Sequence, residues 1–276
     1  MPPDRAGPSL RHALVLGLAQ GPTELLPVSS SAHTTLIPLL LGWPDGELDG
    51  ERRKSFELAL HAGAGVALAL DMRRELLAAA AHMDRRRAGV IALSLLPAAL
   101  VGVLLRGSIE RRLGGPGAIA GGLAAGAVAM ALADANAAPR GRAPEDARAG
   151  DGLALGLAQA VALAPGISRY GATLTAARAR GFGAVAAQEL SWHAALPVML
   201  GASGLEAARL ARRGLPDGAV APLAVGAAGA FLATSLSARL LRRPARALRS
   251  LLPFALYRLA VAVVLLMRRR RALRAQ

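Results

Sequence analysis

Gly17-Leu18-Ala19-Gln20-Gly21-Pro22-Thr23-Glu24-Leu25-Leu26-Pro27-Val28-Ser29-Ser30-Ser31-Ala32-His33 and Gly156-Leu157-Ala158-Gln159, running on to Pro165-Gly166-Ile167-Ser168-Arg169-Tyr170-Gly171-Ala172-Thr173, read as two copies of one element. Each opens on Gly-Leu-Ala-Gln and reaches Pro-x-x-Ser, with an offset of 139 residues at the glycines and 138 at the prolines, so one copy has lost a residue. The copies differ where chemistry would differ. The first carries an acid, Glu24, and a titratable base, His33; the second carries Arg169, a fixed cation with a planar donor fork. Brought face to face, they would make one anion-handling site.

The surrounding composition says where such a site lives. Of 276 residues, 54% are hydrophobic and 18% charged, and the mean hydropathy is +0.40, far more apolar surface than one soluble core needs. Apolar stretches near 56–71, 88–105, 114–138, 185–206, 216–238 and 250–267 approach or reach the length of about 20 residues that spans a bilayer core. Runs such as Leu113 to Ala133 lack the polar face of a soluble surface helix. The expectation is an all-α polytopic membrane protein with about six transmembrane helices.

The net charge of +15 comes almost wholly from arginine, Lys54 being the only lysine. The arginines cluster just outside apolar runs, at Arg73-Arg74, Arg85-Arg86-Arg87, Arg111-Arg112, Arg212-Arg213, Arg242-Arg243 and Arg268 to Arg271, where anionic lipid headgroups sit. The charge is therefore a membrane-interface feature, and nucleic acid is not an expected partner. Clusters at both ends of several spans leave the orientation open. The absence of cysteine excludes disulfides and thiolate metal sites. Arg5 and Arg11 ahead of an apolar run resemble a secretory signal, but cleavage there would remove Gln20, Glu24 and the serines, so the segment reads as retained.

The repeat organises the single membrane domain, 1–276, into halves 1–138 and 151–276 around a polar linker, 139–150, expected as a surface loop. Repeat-built membrane proteins place their sites at the repeat interface, often in broken helices. Pro27 and Pro165 each remove a backbone donor and disfavour helix at the preceding residue, while Gly166 permits backbone geometry that other residues avoid. Two re-entrant helix-loop-helix elements in an inverted internal repeat are the expected result. Arg169 at membrane depth asks for an anion, and Ser168, Thr173 and the N–H groups near Gly166 and Gly171 add donors suited to phosphate. Gln20 and Glu24 share a helix face, with oxygen ligands suited to a hard divalent cation that keeps waters and binds through phosphates. Ser30 and His33 are three apart, a spacing that lets an imidazole approach a hydroxyl. His12, His61 and His82 read as interfacial or packing residues, and Gln159 as either a brace or a site contact. The Gly-x-x-x-Gly pairs at Gly17/Gly21, Gly117/Gly121, Gly122/Gly126 and Gly152/Gly156 permit close helix packing.

These residues resemble the undecaprenyl-diphosphate phosphatases, the bacitracin-resistance family. The first motif is similar to that family's Glu/Gln-x-x-x-Glu signature followed by Pro-Val-Ser-Ser-x-x-His, and the second to Pro-Gly-x-Ser-Arg-Ser-Gly-Ala-Thr. Phe56-Glu57, Leu96-Pro97-Ala98, Ser191 to Gly201 and Pro253 to Arg258 follow in the family's order, so the likeness covers nearly the whole chain. It implies hydrolysis of a polyprenyl diphosphate to the monophosphate plus phosphate, recycling the lipid carrier of cell-wall polymers. It also implies a requirement for Mg²⁺ or Ca²⁺, residence in the cell membrane and an active site opening to the extracytoplasmic side. Carried over, Glu24, Ser30, His33 and Arg169 are the catalytic candidates, and Ser168, Arg169, Thr173 and Gly166 hold the diphosphate. Glu24 and Gln20 are the metal candidates. The expected mechanism has Ser30, with His33 as base, or a His33-activated water attacking the terminal phosphorus. Tyr170 departs from the family's serine beside Arg169, adding bulk and a longer hydroxyl reach. Expected partners are the lipid diphosphate and membrane lipids, with a homodimer left open. A lipid-phosphate transporter or flippase, or an inactive binding relative, is the alternative. Binding or transport needs Arg169 and donors but has no need of a base beside a hydroxyl, so Ser30, His33 and Glu24 together favour hydrolysis.

Overall fold

The helices break at the prolines of the two motifs, Pro27 and Pro165, while Pro22, Pro38, Pro97 and Pro197 are carried inside helices. In a computed structural model that describes residues 8–43, 50–136, 141–213, 218–241 and 248–274, the first motif is helix α1 (Leu10–Leu25), a turn, and α2 (Ser30–Leu41). The second is α7 (Ala149–Val161), a turn, and α8 (Arg169–Ala179). The remaining helices are α3 (Gly50–Asp71), α4 (Arg73–Ala81), α5 (Arg85–Leu113), α6 (Pro116–Ala135), α9 (Ala184–Arg213), α10 (Val220–Leu241) and α11 (Leu252–Arg274). α1 stops two residues before Pro27, as the restriction on the residue before proline requires. Ser29, φ 74°, and Gly166, φ 90°, take the left-handed backbone that each turn needs before its second helix starts.

Three helices are long and apolar enough to cross a membrane among the described residues: Arg85–Leu105, Pro116–Ala135 and Val220–Leu241. They coincide with three of the six apolar stretches read from the sequence. The other three stretches lie in α3, α9 and α11, which carry ionisable groups within them, among them Glu57 and His61, Glu189 and His193, and Arg258. Apolar side chains such as Val103, Leu104, Leu132 and Leu232 stand more than half exposed, a face that suits lipid. Met1–Gly7, Pro139-Arg140 of the linker and the Arg242-Arg243 pair lie outside the described residues, as do the side chains of Arg213 and Arg271.

The chain divides into two compact units. Unit 1 comprises 1–25, 33–73 and 199–241, and unit 2 comprises 26–32, 74–198 and 242–276. In unit 1, α1 packs along α10, and α10 along α3, around Ala13, Leu16, Phe56, Leu60 and Ala230. The approach is glycine-made: a Cβ at Gly17 would run into the Gly226 carbonyl, one at Gly21 into the backbone of Ala233 and Thr234, and one at Gly63 into the Ala227 carbonyl. In unit 2, α7 packs along α5 with the same device, Gly152 against Val90 and Gly156 against the Leu93 carbonyl and Pro97. α6 packs on α11 and on α8.

The described part of the linker is pinned rather than loose. Arg142 pairs with Phe182 in an isolated backbone bridge, lays its guanidinium 4.2 Å from the Phe182 ring centroid, and donates to both oxygens of Asp151 at 3.1 and 2.7 Å. Asp151, in the first turn of α7, also accepts from Arg180 Nε at 2.7 Å and from the Arg148 N–H at 2.9 Å. Those donors hold its carboxyl down at about 2 against the desolvation that would raise it.

Two outcomes follow. Gly17→Ala should destabilise the α1–α10 pair by about 1–3 kcal/mol, the usual cost of overpacking, while Gly121→Ala, with nothing within 4 Å, should not; thermal unfolding in detergent reads both. Because the Asp151 carboxyl is lowered from 3.8 to about 2 on folding, its stabilisation is complete above the unfolded value and fades as pH falls toward 2. The gap in unfolding midpoint between wild type and Asp151→Asn should therefore be open at pH 6 and close on acidification.

Candidate active site

Unit 2 holds the turns of both motifs, and they meet. The Gly166 N–H donates to Ser31 Oγ at 3.4 Å, and Ser31 Oγ lies 3.1 Å from Ser29 Oγ. A non-glycine residue with φ of 74°, as at Ser29, is uncommon, and such backbone collects at functional sites. Ser30, 9% exposed, opens α2. Across the contact, Ser168 caps α8 by accepting from the Gly171 N–H at 3.0 Å, which leaves its own O–H to donate elsewhere. Arg169, half-buried, is the first residue of α8, where the helix also presents its positive end. Thr173 is fully buried and donates to the Arg169 and Tyr170 carbonyls at 3.1 and 3.2 Å, so its hydroxyl braces the helix start. Tyr170 does not crowd the turn: its ring is buried, stacked on Trp192 of α9 at 4.4 Å between centroids.

Unit 1 holds the acid. Gln20 Nε2 donates to Glu24 Oε2 at 3.0 Å, one turn along α1, and both side chains are buried. Pro22 interrupts the ladder of α1 between them, and Thr23 Oγ1 donates to the Ala19 carbonyl at 2.8 Å beside the break. His61 of α3 brings Nε2 to 3.5 Å from Glu24 Oε2, while its Nδ1 lies 2.8 Å from the Glu57 carbonyl. A carbonyl can only accept, so Nδ1 is the donor in that contact. His33, 8% exposed, follows Ser30 by three residues on α2, and the next residue, Thr34, donates to Glu57 Oε1 at 3.3 Å.

A divalent cation fits the acid end. Gln20 Oε1 is buried without a hydrogen-bond partner beside the Glu24 carboxylate, an acceptor set that asks for a cation. No cluster of three His, Cys, Asp or Glu stands among the described residues, so a metal here would keep waters or lean on substrate phosphates rather than sit in a protein cage.

Three residues carry parts in this arrangement that the sequence left unassigned or wrongly placed. His61, read as interfacial or packing, contacts the acid itself. Gln159 is a brace, donating to the Ser94 and Ala194 carbonyls at 2.8 and 3.2 Å. Arg258 of α11, 1% exposed, donates to the carbonyls of both motif turns. The signal for His61 and Arg258 was available: an ionisable side chain within an apolar helix is functional by default.

Known proteins resemble this chain along almost its full length. Residues 13–264 match the family described as bacitracin resistance protein BacA. An undecaprenyl-diphosphatase of Geobacter metallireducens is 38% identical over 265 residues, covering 90% of this chain and 94% of its own. The undecaprenyl-diphosphatase of Geobacter sulfurreducens is 39% identical over 267 residues (91% and 94%), and that of Alcanivorax borkumensis 38% over 271 (92% and 97%).

Gly166 is where the turn geometry is most exposed to a single change. A side chain there would meet both an unfavourable φ and the Ile119 carbonyl. Gly166→Ala should cost about 1–3 kcal/mol in unfolding free energy, read as a lowered thermal midpoint in detergent.

Proposed function

The chain belongs to the bacitracin resistance protein BacA family, and from that membership we propose that it is an integral membrane undecaprenyl-diphosphatase, hydrolysing undecaprenyl diphosphate to the monophosphate and inorganic phosphate. The reaction returns the lipid carrier to cell-wall polymer synthesis and accords with a family described by bacitracin resistance. The observation that carries the reading into this chain is the contact of Ser31 with the Gly166 N–H. It sets a serine cluster beside a helix start bearing a free hydroxyl proton and an arginine, a combination suited to an oxyanion that gains charge as a phosphoanhydride breaks.

In this mechanism Arg169, the Ser168 hydroxyl and the backbone around Gly166 hold the diphosphate, and Thr173 keeps the Arg169 carbonyl in place. His33 takes the proton from the attacking oxygen, the Ser30 hydroxyl or a water, as that oxygen bonds to the terminal phosphorus. The bridging P–O bond breaks, and the polyprenyl monophosphate leaves with the electron pair. A water attack releases inorganic phosphate directly; on the serine route a water then attacks the seryl phosphate, the bond from phosphorus to Ser30 Oγ breaks, and Oγ regains a proton as inorganic phosphate leaves. Glu24, with Gln20 Oε1, would hold the cation, Mg²⁺ or Ca²⁺; when bound, it supplies neutralising charge for the diphosphate oxygens. Phosphate esters hydrolyse extremely slowly unaided, so positioning and charge neutralisation supply most of the effect.

The finer architecture belongs to the same proposal. α3, α5, α6, α9, α10 and α11 are the six spans, and α1–α2 and α7–α8 the two re-entrant elements of an inverted repeat with halves 1–138 and 151–276. The packing of α1 on α10 and of α7 on α5 supports it: with α3 and α4 counted as one element, the first helix of each half lies along the fourth of the other. The site opens to the extracytoplasmic face of the cell membrane, and a homodimer is compatible with this arrangement.

The test is phosphate release from undecaprenyl diphosphate by purified protein in detergent, with and without Mg²⁺ or Ca²⁺. Release should require the metal, and His33→Ala and Arg169→Ala should each lower it by at least about 10²-fold. Ser30→Ala separates the two attacking oxygens: complete loss, including any burst, assigns the serine, and a residual metal-dependent rate assigns the water. A folded wild type that releases no phosphate would remove the phosphatase reading.

A further inference from the structure

Arg258 lies six residues into α11 with its side chain 1% exposed. Its guanidinium is spread over backbone from three places in the chain. Nη1 donates to the Pro27 carbonyl at 3.3 Å, Nη2 to the Gly166 carbonyl at 3.0 Å and the Gly122 carbonyl at 3.3 Å, and Nε to the Leu123 carbonyl at 3.3 Å. Met130 Sδ lies 3.7 Å from Nη1. Pro27 belongs to the turn of the first motif, Gly166 to the turn of the second, and Gly122 and Leu123 to α6.

Two glycines make the room. A Cβ at Gly126 would overlap Nη2, and one at Gly171 would stand 2.9 Å from Nη1. The second of these puts the cation against the first turn of α8, the turn that Ser168 caps and Arg169 opens. Among the described residues, no carboxylate pairs with Arg258, so its hydrogen bonds are met by neutral dipoles and its charge is not cancelled. A buried charge without a counter-ion is costly and seldom kept without use. A planar fork of five N–H donors can reach carbonyls on several sides at once, which a lysine ammonium on a flexible stem cannot.

We propose that Arg258 is a positioning residue of the reaction, its fork binding the turns of both motifs to α6 so that the serines and the diphosphate donors keep one fixed geometry. Its uncancelled charge adds to the attraction that the start of α8 exerts on an anion. It touches backbone, not substrate, and acts through the two turns. The kinetic half of this inference rests on the phosphatase reading; the structural half does not.

The experiment compares wild type, Arg258→Lys, which keeps the charge and loses the fork, and Arg258→Met, which loses both, in detergent. Amide hydrogen exchange followed by mass spectrometry reads segments 26–33 and 163–172, with α1 and α10, which hold none of its acceptors, as internal controls. In Arg258→Lys, exchange should rise in both turns together by at least about tenfold, with the controls unmoved. On undecaprenyl diphosphate, its kcat should fall about 10²-fold, the effect of a small misplacement, while KM stays within about threefold. Arg258→Met should add a rise in KM as the charge goes. The proposal fails if exchange rises in neither turn or in one alone, or if both loosen and kcat is unchanged. It fails too if both variants lose their fold altogether, since Arg258 would then be a general stability element. A wild type without phosphatase activity would remove the reaction but leave the coupling of the turns to be judged by exchange.

Discussion

A broken helix in an apolar bundle leaves backbone carbonyls and N–H groups that water cannot reach, and the fold stands or falls on finding them partners. The turn at 26–29 and the turn at 162–168 are two such breaks. The structure meets the need from inside: Arg258 donates to one carbonyl in each turn, Ser31 accepts the Gly166 N–H, and Ser168 accepts the Gly171 N–H. Because the Arg258 and Ser31 bonds join the two motifs, satisfying the backbone and bringing the motifs together become the same act. The serines of one motif reach the turn of the other because neither turn is satisfied alone.

Lipid offers helices no hydrophobic reason to associate, so close contact has to come from backbone approach. Gly17, Gly21 and Gly63 in unit 1, and Gly152 and Gly156 in unit 2, provide it by removing every atom that would keep two backbones apart. The same glycine pattern has another use on α6. Gly122 lies against the Pro165 carbonyl and Gly126 against the Arg258 guanidinium, so that helix is hollowed to admit a turn and a cation rather than a neighbouring helix. A small-residue spacing therefore announces proximity without saying to what.

That distinction marks how much was legible beforehand. The helix breaks at the two motifs, the sharing of a face by Gln20 and Glu24, and three of the spans are local consequences of proline, glycine, helical spacing and apolar run length, and they appear where the sequence puts them. What escaped is non-local. Arg258 meets Pro27 across 231 residues and Gly166 across 92, and His61 meets Glu24 from a different helix. No spacing rule spans such distances: an ionisable residue within an apolar helix announces that Arg258 has a use, but not which backbone it reaches. Thr173 shows a second kind of limit: residue type names the donor, but only the backbone geometry shows that its proton goes to the Arg169 and Tyr170 carbonyls.

Four arginines of unit 2, Arg142, Arg178, Arg180 and Arg258, are satisfied in two ways. Arg142 and Arg180 pair with Asp151, and Arg178 with Asp134 at 3.6 Å, all by carboxylates that cancel their charge. These pairs pin connections: the linker to the start of α7, and the end of α8 to the end of α6. Arg258 is the most deeply buried of these arginines, and among the described residues it is given only carbonyls and a thioether. A carboxylate would have held it more cheaply, since opposite charges relieve each other's desolvation. It would also have erased the positive potential beneath the first turn of α8, and in a medium of low polarisability that potential reaches further than it would in water. A diphosphate brings negative charge that has to be accommodated where water is scarce. Carbonyl dipoles satisfy the guanidinium's hydrogen bonds while leaving its charge for that anion, so in the proposed role the feature that counts is that no carboxylate among the described residues pairs with Arg258.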